Sequence, residues 1–449
     1  MPLLLVNGMI VTGDGTTIID EGSIVMENGL IREVVKGSRS WKKGAPGEQI
    51  IDGTGKLFLP GVINNHAHGT TIGPLNPTAS SPLPLEQVLK NVDRHILEGT
   101  TTILNVDGFA LPHEVQAIRD LRPVHLQTGT IHMPVNVKAA DSVDGKGLTE
   151  AHRKATVEEM LKAGAVAICE IGGGGTLGGG QQDYLYIPNA IERETGVRLH
   201  PLQARKLKEA ILSPYIDPNA YDVHRTAAVL QEIGLGGKIT PDRARELVSG
   251  CVLPPYALAL DGIREAAATA KKAGRVTTIH AAAATKAVFR EIQEIGPLLV
   301  AAHCNHPSFK AEEAVEFCRD MNKTGVVIDI STVDGWGRRA VAGDAENFYA
   351  ILRSGLCDTV STDYAGGFHD AILLGLEKSI EVGAVTLPQA IAMATSNVVK
   401  AFPGLAPNAG EIRAGRDADV LVVDRDHVSR VGVVIISGRV VARDGRLVA

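Results

Sequence analysis

Two histidines stand two residues apart in Gly61-Val-Ile-Asn-Asn-His66-Ala-His68-Gly69. On a β-strand, residues i and i+2 point to the same face, so both imidazoles can meet one ion. Imidazole is a ligand for zinc and related metals. The pair is a weak signal alone, because single histidines are common in ordinary structure. It gains weight from what ends other apolar runs. Glu170 follows Ala165-Val-Ala-Ile-Cys, His280 follows Val276-Thr-Thr-Ile, and His303 follows Leu298-Leu-Val-Ala-Ala, with His306 close behind as a rival. Asp363 follows Thr359-Val-Ser-Thr. Taken singly, a strand-end glutamate reads as solvated and a strand-end histidine as hydrogen-bonded structure. Together, four imidazoles and two carboxylates at successive strand ends make a donor set for divalent metal and for hydrolysis by activated water.

The elements that must position them are short Val/Ile/Ala runs alternating with helical patterns, which argues for parallel β/α units. The strand candidates are Val62–Asn65, Thr101–Val106, Val124–Ile131, Ala165–Ile171, Val276–His280, Leu298–His303, Val326–Ile330 and Thr359–Thr362. Eight such units point to a (β/α)8 barrel, whose catalytic groups sit at the C-terminal strand ends. An open doubly wound sheet is the alternative, but no Gly-x-Gly-x-x-Gly follows the first strand. A helix is expected after Pro84, with Leu85, Val88, Leu89, Val92 and Ile96 at helical spacing and a stop at Gly99.

Both ends of the chain read differently. Residues 3–12, 23–36 and 49–60, then 418–424, 431–437 and 438–448, are β-like runs with Asn-Gly and Asp-Gly turns. They suggest a small β-sandwich made of residues 1–59 plus 403–449, with the barrel of residues 60–402 set between its halves. One interval exceeds a single βα unit, which needs roughly 30 residues or more. Residues 171–275 are therefore expected to be an insertion, opening on Gly172-Gly-Gly-Gly-Thr-Leu-Gly-Gly-Gly180 and carrying helix-like stretches at Leu202–Ile211 and Thr240–Val248. No Lys-Ser/Thr follows the glycines, so a hinge or a close backbone approach is favoured over a phosphate cradle.

Composition limits the function classes. The 449 residues are 44% hydrophobic, 21% charged and 4% aromatic, with 49 glycines, as in a Gly/Ala/Val-rich α/β protein. A net charge of -6 gives no reason to expect nucleic acid or an anionic membrane as partner. No apolar run approaches the roughly 20 residues of a membrane span, and Met1-Pro-Leu-Leu-Leu-Val reads as a strand, not a signal peptide. Five scattered cysteines read as reduced thiols, which fits a cytoplasmic location. The partner expected is a small-molecule substrate, and a homo-oligomer (dimer or tetramer) is permitted.

At this point the chain resembles the amidohydrolase superfamily. The motif Leu59-Pro-Gly-x-Ile-x-x-His66-x-His68, then His280, His303 and Asp363, matches its metal pattern in order. Ala394-Thr-Ser-Asn-Val-Val-Lys-Ala-Phe402 and Gly410-Glu-Ile-Arg-Ala-Gly-Arg-Asp-Ala-Asp-Val-Leu-Val-Val-Asp424 resemble its C-terminal signature. The resemblance implies a barrel with a small β-sandwich and a hydrolase holding two divalent ions, zinc by default, with iron or manganese acceptable to the same ligands. His66, His68 and Asp363 would hold one ion, His280 and His303 the other, and Glu170 would bridge them. A hydroxide shared by the ions would attack a C–N amide carbonyl, with Asp363 moving its proton to the leaving nitrogen.

Two departures narrow the branch. Many members bridge their metals with a carboxylated lysine where this chain has Glu170, and a glutamate bridge resembles the enamidase-like, cyclic-amide branch. Deaminase members carry Glu two residues after the fifth-strand His, whereas here His280 is followed by four alanines. The favoured substrate is therefore a lactam, enamide or imide, with deacylation of an N-acyl amino acid as the alternative. A deaminase and a non-catalytic barrel scaffold rank lower. His132, Thr332, Asp334, Tyr364 and His369 follow strand ends and are candidate substrate-binding groups.

Overall fold

A computed structural model describes residues 2–37, 49–333, 335–336, 345–363 and 369–448. Asp334 and Tyr364, two of the expected substrate-binding groups, lie outside the described residues.

The two ends of the chain build one sheet. Its nine strands run from Arg446–Leu447 through Arg439–Arg443, Val431–Ile436 and Val420–Asp424 to Lys56–Pro60, then Leu3–Val11, Ile18–Glu27 and Leu30–Lys36, with Gln49–Asp52 also paired to Leu3–Val11. The seam lies where Val420–Asp424 pairs antiparallel with Lys56–Pro60, Val422 opposite Phe58. Alternate residues of these strands point to one face, and there Leu5, Ile10, Ile24, Phe58, Val420 and Ile435 close a core of their own. All nine strands are joined in a single hydrogen-bonded sheet.

The middle of the chain is mixed α/β. Three parallel strands, Val62–Ala67, Thr100–Asn105 and His125–Thr128, form one sheet. Five more, Ile168–Ile171, Thr277–His280, Leu299–Ala302, Val327–Ser331 and Thr359–Ser361, form a second in chain order. Each expected strand is present. The sheets touch at both edges. On one side a parallel bridge joins Gly129 to Ala167. On the other, Asp363 N donates to His66 O (3.1 Å) and Asn64 Nδ2 to Thr362 Oγ1 (2.8 Å). The helix expected after Pro84 spans Leu85–Leu97 and buries Val88, Val92 and Ile96. Gly99 then reverses the chain at φ 93°, a left-handed value that suits glycine.

Residues 171–275 are helical. Ile187–Thr195, Pro201–Leu212, Val223–Glu232 and the first half of Pro241–Ala273 enclose a separate apolar cluster around Leu207, Ile211, Leu230 and Val248. The helix expected at Thr240–Val248 is much longer than its signal. Thr240 Oγ1 accepts from Arg243 N as an N-cap, and the helix runs for 33 residues through Pro254-Pro255. A proline pair removes backbone donors and normally reads as a stop. Here packing holds the helix across it: the second half buries Ala259, Ile263, Ala266 and Ala270 in the core around the parallel strands. No helix among the described residues is long and apolar enough to cross a membrane.

Candidate metal centre

Strand ends bring the ligand-type residues together. His66 lies in the first parallel strand and His68 just beyond its end; Glu170 and His280 lie in the fourth and fifth, and His303 and Asp363 follow the sixth and eighth. His303 and Asp363 have left-handed backbones, φ 40° and 45°. Non-glycine residues reach such values where surrounding structure holds them there, often at functional sites.

Glu170 is the hub. Its Oε2 lies 3.7 Å from His66 Nε2 and 3.3 Å from His68 Nε2. Its Oε1 lies 3.4 Å from His280 Nδ1 and 3.1 Å from His303 Nε2. Asp363 Oδ1 faces the first pair, 3.6 Å from His66 Nε2 and 3.8 Å from His68 Nε2. One carboxylate thus sits between two imidazole pairs, and a second flanks one of them. All but Asp363 are buried; the Asp363 side chain is 22% exposed.

The donor set fits divalent metal. Neither ring nitrogen of His66 has a hydrogen-bond partner among the described residues, nor have His280 Nε2 and His303 Nδ1. Buried polar atoms are seldom left so. Separations of 3.6–3.8 Å are too long for hydrogen bonds, yet suit donors that share an ion at about 2.0–2.2 Å from each. Two triads, His66–Glu170–His303 and His66–His68–Asp363, bring their ligand atoms within 4.8 Å of one another.

Charges reinforce one another here. Burial pushes Glu170 upward, but the His66, His280 and His303 imidazoles hold its carboxyl well below the usual range. Burial disfavours a charged His68, yet Asp107 and then Glu170 hold its imidazole well above the ordinary histidine value. His303 is raised by Asp363 and Glu170 against the effect of burial, whereas burial and the neighbouring His303 push His280 down. The fixed negative charge that favours a proton on His68 and His303 also favours a metal cation.

Two supporting groups were not singled out from the sequence. Asp107, just past the second strand, accepts from His68 Nδ1 (2.7 Å), Gly69 N (2.7 Å) and Asn76 N (2.7 Å), which turns His68 Nε2 toward Glu170. Its position after Thr101–Val106, the same strand-end signal used for the ligands, was the available clue. Asp329 is buried within the seventh strand and accepts from Asn65, Thr359, Ser361 and the His303 backbone. A carboxylate inside an apolar strand run was its signal.

The other expected residues lie elsewhere. His132 Nδ1 is 3.1 Å from Thr130 Oγ1 and its ring meets the Phe109 ring edge-on; burial, then His152, pushes it down to about 4. Thr332 Oγ1 donates to Asp370 O (2.6 Å). His369 Nε2 pairs with Glu98 (2.6 Å), and its ring stacks on His95 at 4.7 Å. None of the three lines the cavity over the cluster. His306 does line it, but its Nδ1 is 2.8 Å from Ser308 Oγ, and His303, not His306, contacts Glu170.

That cavity, of about 360 Å³, is walled by His68, Glu170, His280 and Asp363 together with Asn76, Thr78, Gln181, Tyr184 and Arg205. The glycine-rich segment forms part of its wall. A Cβ at Gly179 would come 3.3 Å from His306 Nε2, and one at Gly174 only 2.7 Å from Gly180 N. The expected close backbone approach is present.

Residues 236–441 match the family described as Amidohydrolase family. A stretch of 89 residues is 35% identical to the 5-methylthioadenosine/S-adenosylhomocysteine deaminase of Pyrococcus furiosus, covering 20% of this chain and 19% of that protein. The match therefore spans about a fifth of that relative. The fold is similar over the full chain to the β-aspartyl dipeptidase of Fervidobacterium islandicum AW-1, solved with a β-Asp-Leu dipeptide (TM-score 0.61, 16% identity, 100% of this chain and 98% of the other). It is also similar to an enamidase (TM-score 0.53, 18% identity, 99% and 97%). Residues 236–441 thus carry the Amidohydrolase family match, and over nearly every residue the fold is similar to that of the dipeptidase and the enamidase.

Proposed function

We propose that the protein is a binuclear metal-dependent hydrolase that cleaves a C–N amide bond in a small molecule, a cyclic amide first among the candidates. The observation that carries the reading is Glu170, whose two oxygens face two separate histidine pairs. The two parallel sheets are read as one (β/α)8 barrel, residues 60–402, carrying the 171–275 insertion, with residues 1–59 and 403–449 as a composite β domain. Contacts at both sheet edges support this.

His66, His68 and Asp363 would hold one ion, His280 and His303 the second, with Glu170 between them; zinc is favoured. When bound, the ions would supply a more acidic water and a Lewis acid for the amide carbonyl. Asp363, the cluster carboxylate open to the cavity, takes the attacking water's proton and delivers it to the departing nitrogen, acting as base and then as acid. Asp107 keeps His68 in one tautomer by accepting from Nδ1. Ala281–Ala284 follow His280 and offer no proton-carrying side chain there, so deamination stays behind amide hydrolysis despite the short stretch shared with a deaminase. A cytoplasmic homo-oligomer remains part of the proposal.

A second reading, hydrolysis of N-acyl amino acids, is favoured by Arg205, a cation in the cavity wall. Incubating the metal-loaded protein with lactams, cyclic imides and linear N-acyl amino acids separates the two. Ring opening yields one product per substrate molecule and deacylation yields two. Hydrolysis of neither class by metal-loaded protein would overturn the proposal.

A further inference from the structure

The inserted helices supply the cavity with a charge that the strand ends do not. Among the described residues lining the cavity, Arg205 is the one side chain with a permanent positive charge. It lies on the helix Pro201–Leu212, and its side chain is 19% exposed. Asp183 and Lys208 hold it in place. Arg205 Nε donates to Asp183 Oδ2 (3.2 Å), while Lys208 Nζ donates to Asp183 Oδ1 (2.6 Å) and to Gly178 O (3.1 Å). Arg205 and Lys208 are three residues apart, so they share one helix face. Two cations therefore share one buried carboxylate, and Glu209 of the same helix, whose carboxyl burial pushes upward, interacts with both.

Geometry decides which cation meets a ligand. The Lys208 side chain is 5% exposed and spends its donors on protein oxygens. Arg205 is tied at Nε, and it is the member of the pair that lines the cavity. A guanidinium fixed at Nε still presents its Nη groups as a planar fork matched to a carboxylate. The other charged groups of the lining, Glu170 and Asp363, belong to the proposed metal set.

We propose that Arg205 is a specificity-determining residue that docks a carboxylate of the substrate, so that the amide hydrolysed is one bearing an acidic group. The inference rests on reading this cavity as the substrate site, and it applies equally to a carboxylated ring and to an N-acyl amino acid. Asp183 and Lys208 are positioning residues: they orient the guanidinium and pin the glycine segment through Gly178.

Binding of ligands that cannot be hydrolysed tests this apart from catalysis. Levulinate and its next longer homologue, with a ketone in place of the amide, are compared with their neutral carboxamides by titration calorimetry. The metal-loaded wild type, Arg205→Gln and Arg205→Lys are used. In the wild type the better-fitting acid binds about tenfold or more tighter than its carboxamide, the scale of a charge-assisted fork. In Arg205→Gln that preference falls to about threefold or less, and Arg205→Lys lies between. Equal binding of acid and amide by the wild type, or a preference that survives Arg205→Gln, overturns the inference. A protein that shows the preference but hydrolyses no amide would contradict the proposed reaction and leave Arg205 as the group that docks a ligand carboxylate in this cavity.

Discussion

The strand-end cluster and the helices of residues 171–275 border the same cavity but are built on different principles. At the cluster, each functional side chain lies at or near the end of a parallel strand, and the sheet sets where it stands. Packing there serves charge: Glu170, His66 and His303 are buried, and buried charge persists only when paired or bound to metal. In the 171–275 region the order is reversed. The helices enclose an ordinary apolar cluster around Leu207 and Ile211, and the groups that reach the cavity, Tyr184 and Arg205, are carried on its outside. One region therefore trades stability for chemistry, whereas the other uses stability to present a recognition group. Substitutions should sort accordingly.

The sharpest contrast comes from Glu170→Ala. It removes the carboxylate between both histidine pairs, and activity should fall on the order of 10³-fold or more. Urea unfolding with the metal removed should change less than for truncation of a core side chain, because His303, no longer facing Glu170, can release its proton instead of standing charged and unpaired. Full activity in this variant would break the comparison. Leu207→Ala acts on the other side. A fully buried leucine is lost from the helical cluster, so unfolding free energy should drop by about 2–5 kcal/mol, with metal content unchanged. Metal loss in that variant would show that the two regions are not separable.

A smaller effect is expected for Asp107→Ala, which frees His68 to rotate or change tautomer. Metal affinity, read by competition with a chelator, should weaken about 10–100-fold. Least affected should be Thr240→Ala, which removes the N-cap of the long helix. Stability should fall by about 1 kcal/mol, seen as a lower denaturation midpoint with hydrolysis rates intact.

The same division explains what could be read from the chain. The eight strands were legible because short apolar runs separated by helical patterns have few other interpretations. The proposed ligands were legible because each stands at such a run's end. Strand position does not reveal side-chain direction, however. His132, Thr332 and His369 also follow strand ends, yet hydrogen bonds to Thr130, Asp370 and Glu98 hold them away from the cavity lining. Asp329 escaped notice because its partners, Asn65, Thr359 and Ser361, lie on other strands. Arg205 had no local signal at all. It is one of several cations on an amphipathic helix, and only the packing of that helix beside the glycine segment sets it apart. Pro254-Pro255 hid the length of Pro241–Ala273, since the contacts that hold the helix together lie in the core around the parallel strands.

Everything proposed for the site depends on two histidine pairs and Glu170 holding two divalent ions. Elemental analysis of the purified protein beside the His66→Ala/His68→Ala double variant tests it most directly. Two ions per wild-type chain are expected, with loss of at least one ion and of hydrolysis in the double variant. A double variant that carries no metal and hydrolyses its substrate at the wild-type rate would contradict it.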